Sequence, residues 1–92
     1  MIKGFRHKGL RLLFEAGSKK GVPAKLADKI TRRLDALDAA VHLLDLHLPG
    51  FDLHELKGDR KGTWSICLTG NWRITFRFKA GDAFEVNLED YH

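Results

Sequence analysis

Apolar and polar positions alternate most regularly between Asn71 and Phe78: Trp72, Ile74, Phe76 and Phe78 fall on one side, Arg73, Thr75 and Arg77 on the other. A period of two marks a strand with one buried face. The apolar side is large and aromatic enough to anchor a core. The polar side carries two cations, which are not buried without partners. The same alternation recurs before and after. Trp64, Ile66 and Leu68 alternate with Ser65, Cys67 and Thr69, and Phe84, Val86 and Leu88 alternate with Glu85, Asn87 and Glu89. Matching faces sets the expected register. A two-residue turn at Gly70-Asn71 sets apolar positions against polar ones. A three-residue loop, Thr69 to Asn71, is therefore expected, pairing Leu68 with Trp72, Ile66 with Ile74 and Trp64 with Phe76. A turn around Ala80-Gly81-Asp82 then pairs Phe78 with Phe84, Ile74 with Leu88, Arg77 with Glu85 and Arg73 with Glu89.

Upstream the period changes. Ile2 to Phe5 is short and apolar, as in an edge strand. Leu10, Leu13 and Phe14 have helical spacing, and Gly17 is a C-terminal stop. After the loop Ser18 to Gly21, Pro23 suits the first turn of a second helix. Leu26, Ile30, Leu34, Leu37, Val41, Leu44 and Leu48 then form one stripe that predicts a helix running to Pro49-Gly50. His42 and His47 do not share a helical face and read as surface or helix-end residues. Asp52 to Gly62 reads as a polar loop without the spacing of a phosphate-binding P-loop. The element order is β-α-α-β-β-β. This predicts an α+β fold, with two N-terminal helices packed on one face of a small antiparallel sheet, as a single domain over residues 1–92.

Composition narrows the function. The single cysteine, Cys67, permits no intramolecular disulfide and no zinc quartet, and suits a reducing cytoplasm. No apolar run is long enough for a signal peptide or a membrane span. Charge is uneven. Residues 1–33 hold ten Lys/Arg against Glu15 and Asp28, a net of +8, while residues 34–92 hold six against ten acids, a net of −4. The basic first third suits a polyanionic surface, an acidic partner, or simply a solvated helical face.

Candidate chemistry gathers at the C-terminal end of the last strand, Asp90-Tyr91-His92. Arg73 is expected beside Glu89, and His54 lies in the loop that feeds the neighbouring strand. Two imidazoles, a carboxylate, a phenol and a guanidinium are thus expected to converge on one rim of the sheet. This set suits RNA cleavage without metal or cofactor: two histidines titrate in the range needed to take a proton from a 2′-hydroxyl and return one to a 5′-oxygen. A cation stabilises the phosphorane, and an aromatic ring holds an unstacked base. The plainer alternatives stand beside this reading: Arg73 and Arg77 as partners of Glu89 and Glu85, and Tyr91 as a cap on the edge of the core.

The run Leu53-His54-Glu55-Leu56-Lys57-Gly58-Asp59-Arg60-Lys61-Gly62-Thr63-Trp64-Ser65-Ile66, followed by Asn71-Trp72-Arg73-Ile74-Thr75-Phe76 and the closing Glu89-Asp90-Tyr91-His92, resembles the HigB branch of the RelE-like toxins. The opening Ile2 to Leu10 fits the same family, so the resemblance covers essentially the whole chain. It implies the toxin of a type II toxin–antitoxin pair that enters the ribosomal A site and cuts mRNA. The implied catalytic residues are His54, Asp90, Tyr91 and His92, with Lys57 and Arg73 on phosphate. The implied partners are a HigA-like helix-turn-helix antitoxin, the ribosome with its rRNA, and mRNA, with no membrane. The residues themselves also admit a catalytically inactive RelE-fold module that only binds a partner or RNA.

Overall fold

Trp72–Lys79 forms β3, an inner strand of a four-stranded antiparallel sheet, in a computed structural model that describes residues 1–91. The order is β1 (His54–Glu55), β2 (Trp64–Thr69), β3, β4 (Asp82–Asp90). One face of the sheet presents Ile66, Leu68, Ile74, Phe76, Val86 and Leu88, all buried. Helices α1 (Lys8–Ala16) and α2 (Ala27–Ala39) cover that face with Leu10, Leu13, Ile30, Leu34 and Leu37. The expected α+β architecture is the observed one. Truncating a core residue such as Phe76, which is fully buried, removes on the order of 3–5 kcal/mol.

The N-terminal segment runs parallel to the outer edge of β4 through bridges Ile2–Ala83 and Phe5–Val86. The backbone of Ile2 is also fastened to α2, donating to the Asp38 carboxylate at 2.9 Å. Helix α1 starts where His7 Nδ1 accepts the Leu10 N–H and stops at Gly17, whose φ of +68° is free of strain only for glycine. Pro23 leads through a 3-10 turn into α2.

Helix α2 is shorter than its apolar stripe. It ends at Ala39, and Val41, Leu44 and Leu48 are exposed, while Leu46 is buried from a 3-10 turn, Leu43–Leu46. Two causes act together. The Asp45 carboxylate accepts the backbone N–H groups of Val41 and His42, both at 2.9 Å, giving the chain a local alternative to the helical ladder. A helix from Leu26 to Leu48 would also be about 35 Å long, longer than the 31 Å maximum extent of the molecule.

The register departs from expectation near both turns and agrees away from them. Trp64 pairs with Phe76 and Ile66 with Ile74, but Thr69 faces Trp72 across a two-residue turn, Gly70–Asn71. The surplus residue is absorbed as a bulge in β2 at Leu68 rather than in a longer loop. Likewise Arg73 faces Glu89 and Ile74 faces Leu88, but Arg77 faces Phe84 and Phe78 faces Ala83. Ala80 and Gly81, with φ of +51° and +83°, have the positive angles of a tight primed turn, and Glu85, with φ of +52°, takes up the slack as a second bulge. Phe84 therefore shares the face of Arg77 rather than the core.

The second sheet face is not left to solvent. The Asp52–Gly62 stretch, expected to be a plain loop, contributes β1 and a 3-10 turn, Gly58–Arg60, and folds back over this face. Ser65, Thr75 and Arg73 are buried beneath it, at 0%, 2% and 9% exposure.

Gly9 of α1 lies against the backbone of Gly21: a Cβ on Gly9 would stand 2.1 Å from the Gly21 carbonyl oxygen. Alanine favours a helix over glycine by ~1 kcal/mol, but overpacking of this kind costs about 1–3 kcal/mol. Gly9→Ala is therefore expected to lower stability, by about 1–2 kcal/mol in urea unfolding. A stabilised variant would show that the two backbones do not touch.

Candidate active site

Strand alternation sends Arg73, Thr75 and Arg77 to the polar face, and cross-strand pairing lines His54, Ser65, Thr75 and Asn87 into one row beside Arg73. The Arg73 guanidinium is nearly buried and fully engaged. Its Nε donates to Ser65 Oγ, its Nη2 donates to the Asp52 carbonyl at 2.9 Å, and its Nη1 lies 3.5 Å from the Asp52 carboxylate. Nη2 also stands 3.2 Å from His54 Nδ1. The Tyr91 ring covers the guanidinium, 5.9 Å from centroid to Cζ. Tyr91 is held there by its backbone N–H, which donates to the Asn71 carbonyl at 2.6 Å.

His54 Nδ1 has two mutually exclusive partners. Arginine only donates, so contact with Arg73 requires a bare Nδ1; the Asp52 carbonyl, 3.1 Å away, only accepts, so contact with it requires Nδ1–H. In either case Nε2 is not used by these contacts, and the side chain is 45% exposed. The outer nitrogen thus faces an open surface while the inner one is held between Arg73 and Asp52.

A second cluster adjoins the first. Arg60 grips Glu89 with a two-pronged ion pair, Nη1–Oε1 at 2.8 Å and Nη2–Oε2 at 2.5 Å, and Thr75 Oγ1 donates to Oε2 at 2.5 Å. Arg60, foremost, and then Thr75 hold the Glu89 carboxyl below the usual range against the opposing effect of burial, with the more distant charge of Arg6 assisting. Glu89 in turn raises the Arg60 guanidinium, and Tyr91 adds to this.

The structure thus brings His54, Arg73 and Tyr91 together. Arg73 sits opposite Glu89 as expected, but its side chain turns to Ser65, Asp52 and His54, and Glu89 goes to Arg60. The reason is geometric: the covering loop brings the Asp52 carbonyl and carboxylate and the His54 ring to Arg73, and a second arginine to Glu89. Asp90 is exposed at the last paired position of β4, opposite Trp72, where alternation puts it on the other side of the sheet from Glu89. Lys57 is exposed just before the 3-10 turn that carries Arg60. His92 lies outside the described residues. Sequence reasoning missed Asp52, Arg60 and Ser65 as site residues. Arg60 stood within the Leu-x-Gly-Asp-Arg stretch, and its loop position concealed that it folds back onto β4. Of the basic first third, Arg33 is structural: its Nε donates to the Cys67 carbonyl at 3.0 Å, and its guanidinium lies 4.1 Å over the Phe51 ring.

Among the described residues no three His, Cys, Asp or Glu side chains stand together as a metal-binding set, and no helix is long and apolar enough to cross a membrane.

Comparison with known proteins places these features in context. A family model described as the RelE-like toxin of type II toxin–antitoxin system HigB matches residues 3–92. The chain is 55% identical over 92 residues to the "Endoribonuclease HigB" of Proteus vulgaris, covering 100% of both chains. It is 29% identical over 93 residues to "Toxin HigB-1" of Vibrio cholerae serotype O1, covering 99% of this chain and 98% of that one.

The Glu89 cluster makes a pH-dependent contribution to stability. Because the folded carboxyl sits below its unfolded value of ~4.3, the contribution is complete above that value and is lost as pH falls through the folded one. Glu89→Gln is expected to cost about 1–3 kcal/mol at neutral pH and to flatten the acid limb of a plot of unfolding free energy against pH. An acid limb as steep as that of the parent protein would remove Glu89 from this account.

Proposed function

The chain belongs to the HigB family of RelE-like toxins of type II toxin–antitoxin systems, and on that footing we propose a mechanism in which His54, Arg73, Tyr91 and the chain terminus cut mRNA in the ribosomal A site. The protein is an endoribonuclease and the toxin of its pair. The observation that carries the mechanism is the position of His54 Nδ1, 3.2 Å from an arginine whose guanidinium lies beneath a tyrosine ring.

The 2′-hydroxyl attacks the adjacent phosphorus and loses its proton; the bond from phosphorus to the 5′-oxygen breaks, and that oxygen gains one. His92 takes the first proton and His54 supplies the second from Nε2. As imidazolium, His54 has an acceptor for its inner N–H in the Asp52 carbonyl. Arg73, drawn toward the reacting phosphate, leaves Nδ1 free to make that bond and stabilises the charge that builds on the phosphorane. Lys57 meets a neighbouring phosphate from the loop. Tyr91 stacks on a nucleotide, and Asp90, at the end of β4, orients His92. No step requires a metal ion or cofactor.

HigB-family toxins pair with an antitoxin. The partner proposed here is a helix-turn-helix protein of the HigA kind, with the ribosome and its mRNA as the target, in the cytoplasm. The basic surface of α1 and α2 rests on ribosomal RNA or on the acidic face of the antitoxin.

Mapping of mRNA 5′ ends in a translating lysate tests the assignment. His54→Ala is expected to slow cleavage about 10²–10⁴-fold while ribosome association persists. Arg73→Lys keeps the charge but not the planar fork, and is expected to be slowed as well. Equal cleavage of naked RNA would replace the ribosome-dependent reading with a free ribonuclease. Growth arrest that survives both His54→Ala and His92→Ala would leave arrest to a binding module and overturn the catalytic roles.

A further inference from the structure

The polar face of the sheet continues past Thr75 toward the β3–β4 turn, beyond the groups that surround Arg73. Two adjoining hollows lie there. Arg6, Arg60 and Arg77 converge on the first, of about 180 Å³, with the hydroxyls of Thr63 and Thr75 and the carboxylates of Asp59 and Glu85 between them. The second, of about 560 Å³, is bordered by Arg77, Lys79, Phe78 and Phe84. Arg77 and Glu85 line both, so the two form one groove.

Three features give the groove a chemistry of its own. The bulge at Glu85 turns Phe84 out of the core register and sets it opposite Arg77, half-buried among cations. That arrangement depends on a non-glycine residue at φ +52°, a strained backbone of the sort that collects at functional sites. Arg77, next, is oriented but not neutralised. It lies 3.7 Å from Glu85 and 3.4 Å from the Thr63 hydroxyl, and both charged partners are about half exposed. So loose a pair yields to a stronger anion. A Cβ on Gly62 would come within 3.1 Å of the same guanidinium, so the loop is shaped to let it lie flat. Finally, the groove runs into the Glu89 cluster, which adjoins the groups around Arg73: Thr75 and Arg60 belong both to its lining and to that cluster.

We propose that this groove is a second nucleic-acid subsite, which holds single-stranded RNA flanking the cleaved bond. The inference rests on the endonuclease reading above and extends it. Backbone phosphates meet Arg77, Lys79 and Arg6, and one base stacks on Phe84. Cations along a strand with an aromatic ring among them are the elements of sequence-tolerant single-strand binding. Arg73 and Arg77 are four residues apart on one strand, roughly 13 Å, so the ligand that engages both is an oligonucleotide rather than a mononucleotide.

The test uses the full chain on ribosomes programmed with a defined message. Arg77→Glu, at an exposed position, is expected to raise KM for programmed ribosomes about tenfold with kcat essentially unchanged, and Arg77→Lys to retain most of the affinity. A photoreactive benzoylphenylalanine at position 84 is expected to crosslink to the message beside the cut. Thermal melting of each variant separates lost binding from lost folding, and if the Phe84 replacement does not fold, the Arg77 pair decides. Unchanged KM in Arg77→Glu overturns the subsite, as do crosslinks confined to ribosomal RNA or to protein. Those results leave the endonuclease reading in place when the parent protein cuts normally. A parent protein that fails to cut the programmed message overturns that reading, and the subsite with it.

Discussion

A guanidinium buried in the middle of a sheet must be satisfied, and Arg73 sets that demand on the polar face of β3. Its side chain is 11% exposed and meets a hydroxyl, a carbonyl, a carboxylate and an imidazole. Three of these four belong to Asp52 and His54, at the start of a stretch otherwise rich in charge and glycine. Such a stretch has little apolar surface with which to offset the entropy of being ordered. Beyond Leu53, which packs against the core, it is fixed mainly by polar contacts: β1 on the edge of β2, Glu55 accepting the Gly62 N–H at 2.8 Å, and the Arg60–Glu89 fork. Removing one partner of a buried charge costs far more than the net worth of the pair. The loop is therefore coupled to the strand through Arg73, and the residue that orders the loop is the one proposed to meet a phosphate.

The two helices play no direct part in this chemistry, but they make it possible. By burying the aromatic and aliphatic side of β2, β3 and β4, they leave the other side of a rigid sheet available for polar groups. Sites built on strands hold geometry more tightly than sites built on loops alone. Here His54, in the short strand β1, is paired with Ser65 of β2, so its backbone is held by the sheet.

The architecture was legible because it depends on periodicity. Alternation in three successive runs and helical spacing before them are enough to specify helices on one side of an antiparallel sheet. Face matching also found the pairs Ile66–Ile74 and Arg73–Glu89. It failed beside each turn, because bulges at Leu68 and Glu85 reconcile short turns with the pleat, and alternation alone does not say where a strand will bulge. It overran α2 because a leucine stripe records spacing and not the size of the sheet beneath it. From sequence, His54, Arg73 and Tyr91 were expected on one rim of the sheet, and the structure brings those three together. Asp52, Ser65 and Arg60 were not expected there, since each acts through a fold-back of the loop that no local pattern announces.

The two arginines of the site are held by different kinds of partner, and the difference assigns their work. Arg60 is matched by a carboxylate in a two-pronged pair, so its charge is largely spent within the protein and its effect is to hold Glu89 and the loop. Arg73 is held mainly by neutral oxygens, Ser65 Oγ and the Asp52 carbonyl, and the one carboxylate near it is distant, at 3.5 Å, and 73% exposed. Neutral acceptors orient a guanidinium without cancelling its charge. In the proposed mechanism, an anion arriving beside the Tyr91 ring meets a cation already aimed by neutral partners, the condition under which electrostatic stabilisation of a phosphorane is strongest. In the mechanism proposed above, movement of Arg73 toward that anion frees His54 Nδ1 for the Asp52 carbonyl, 3.1 Å away. Substrate binding and proton transfer at the imidazole are thus, in that mechanism, coupled through a single side chain.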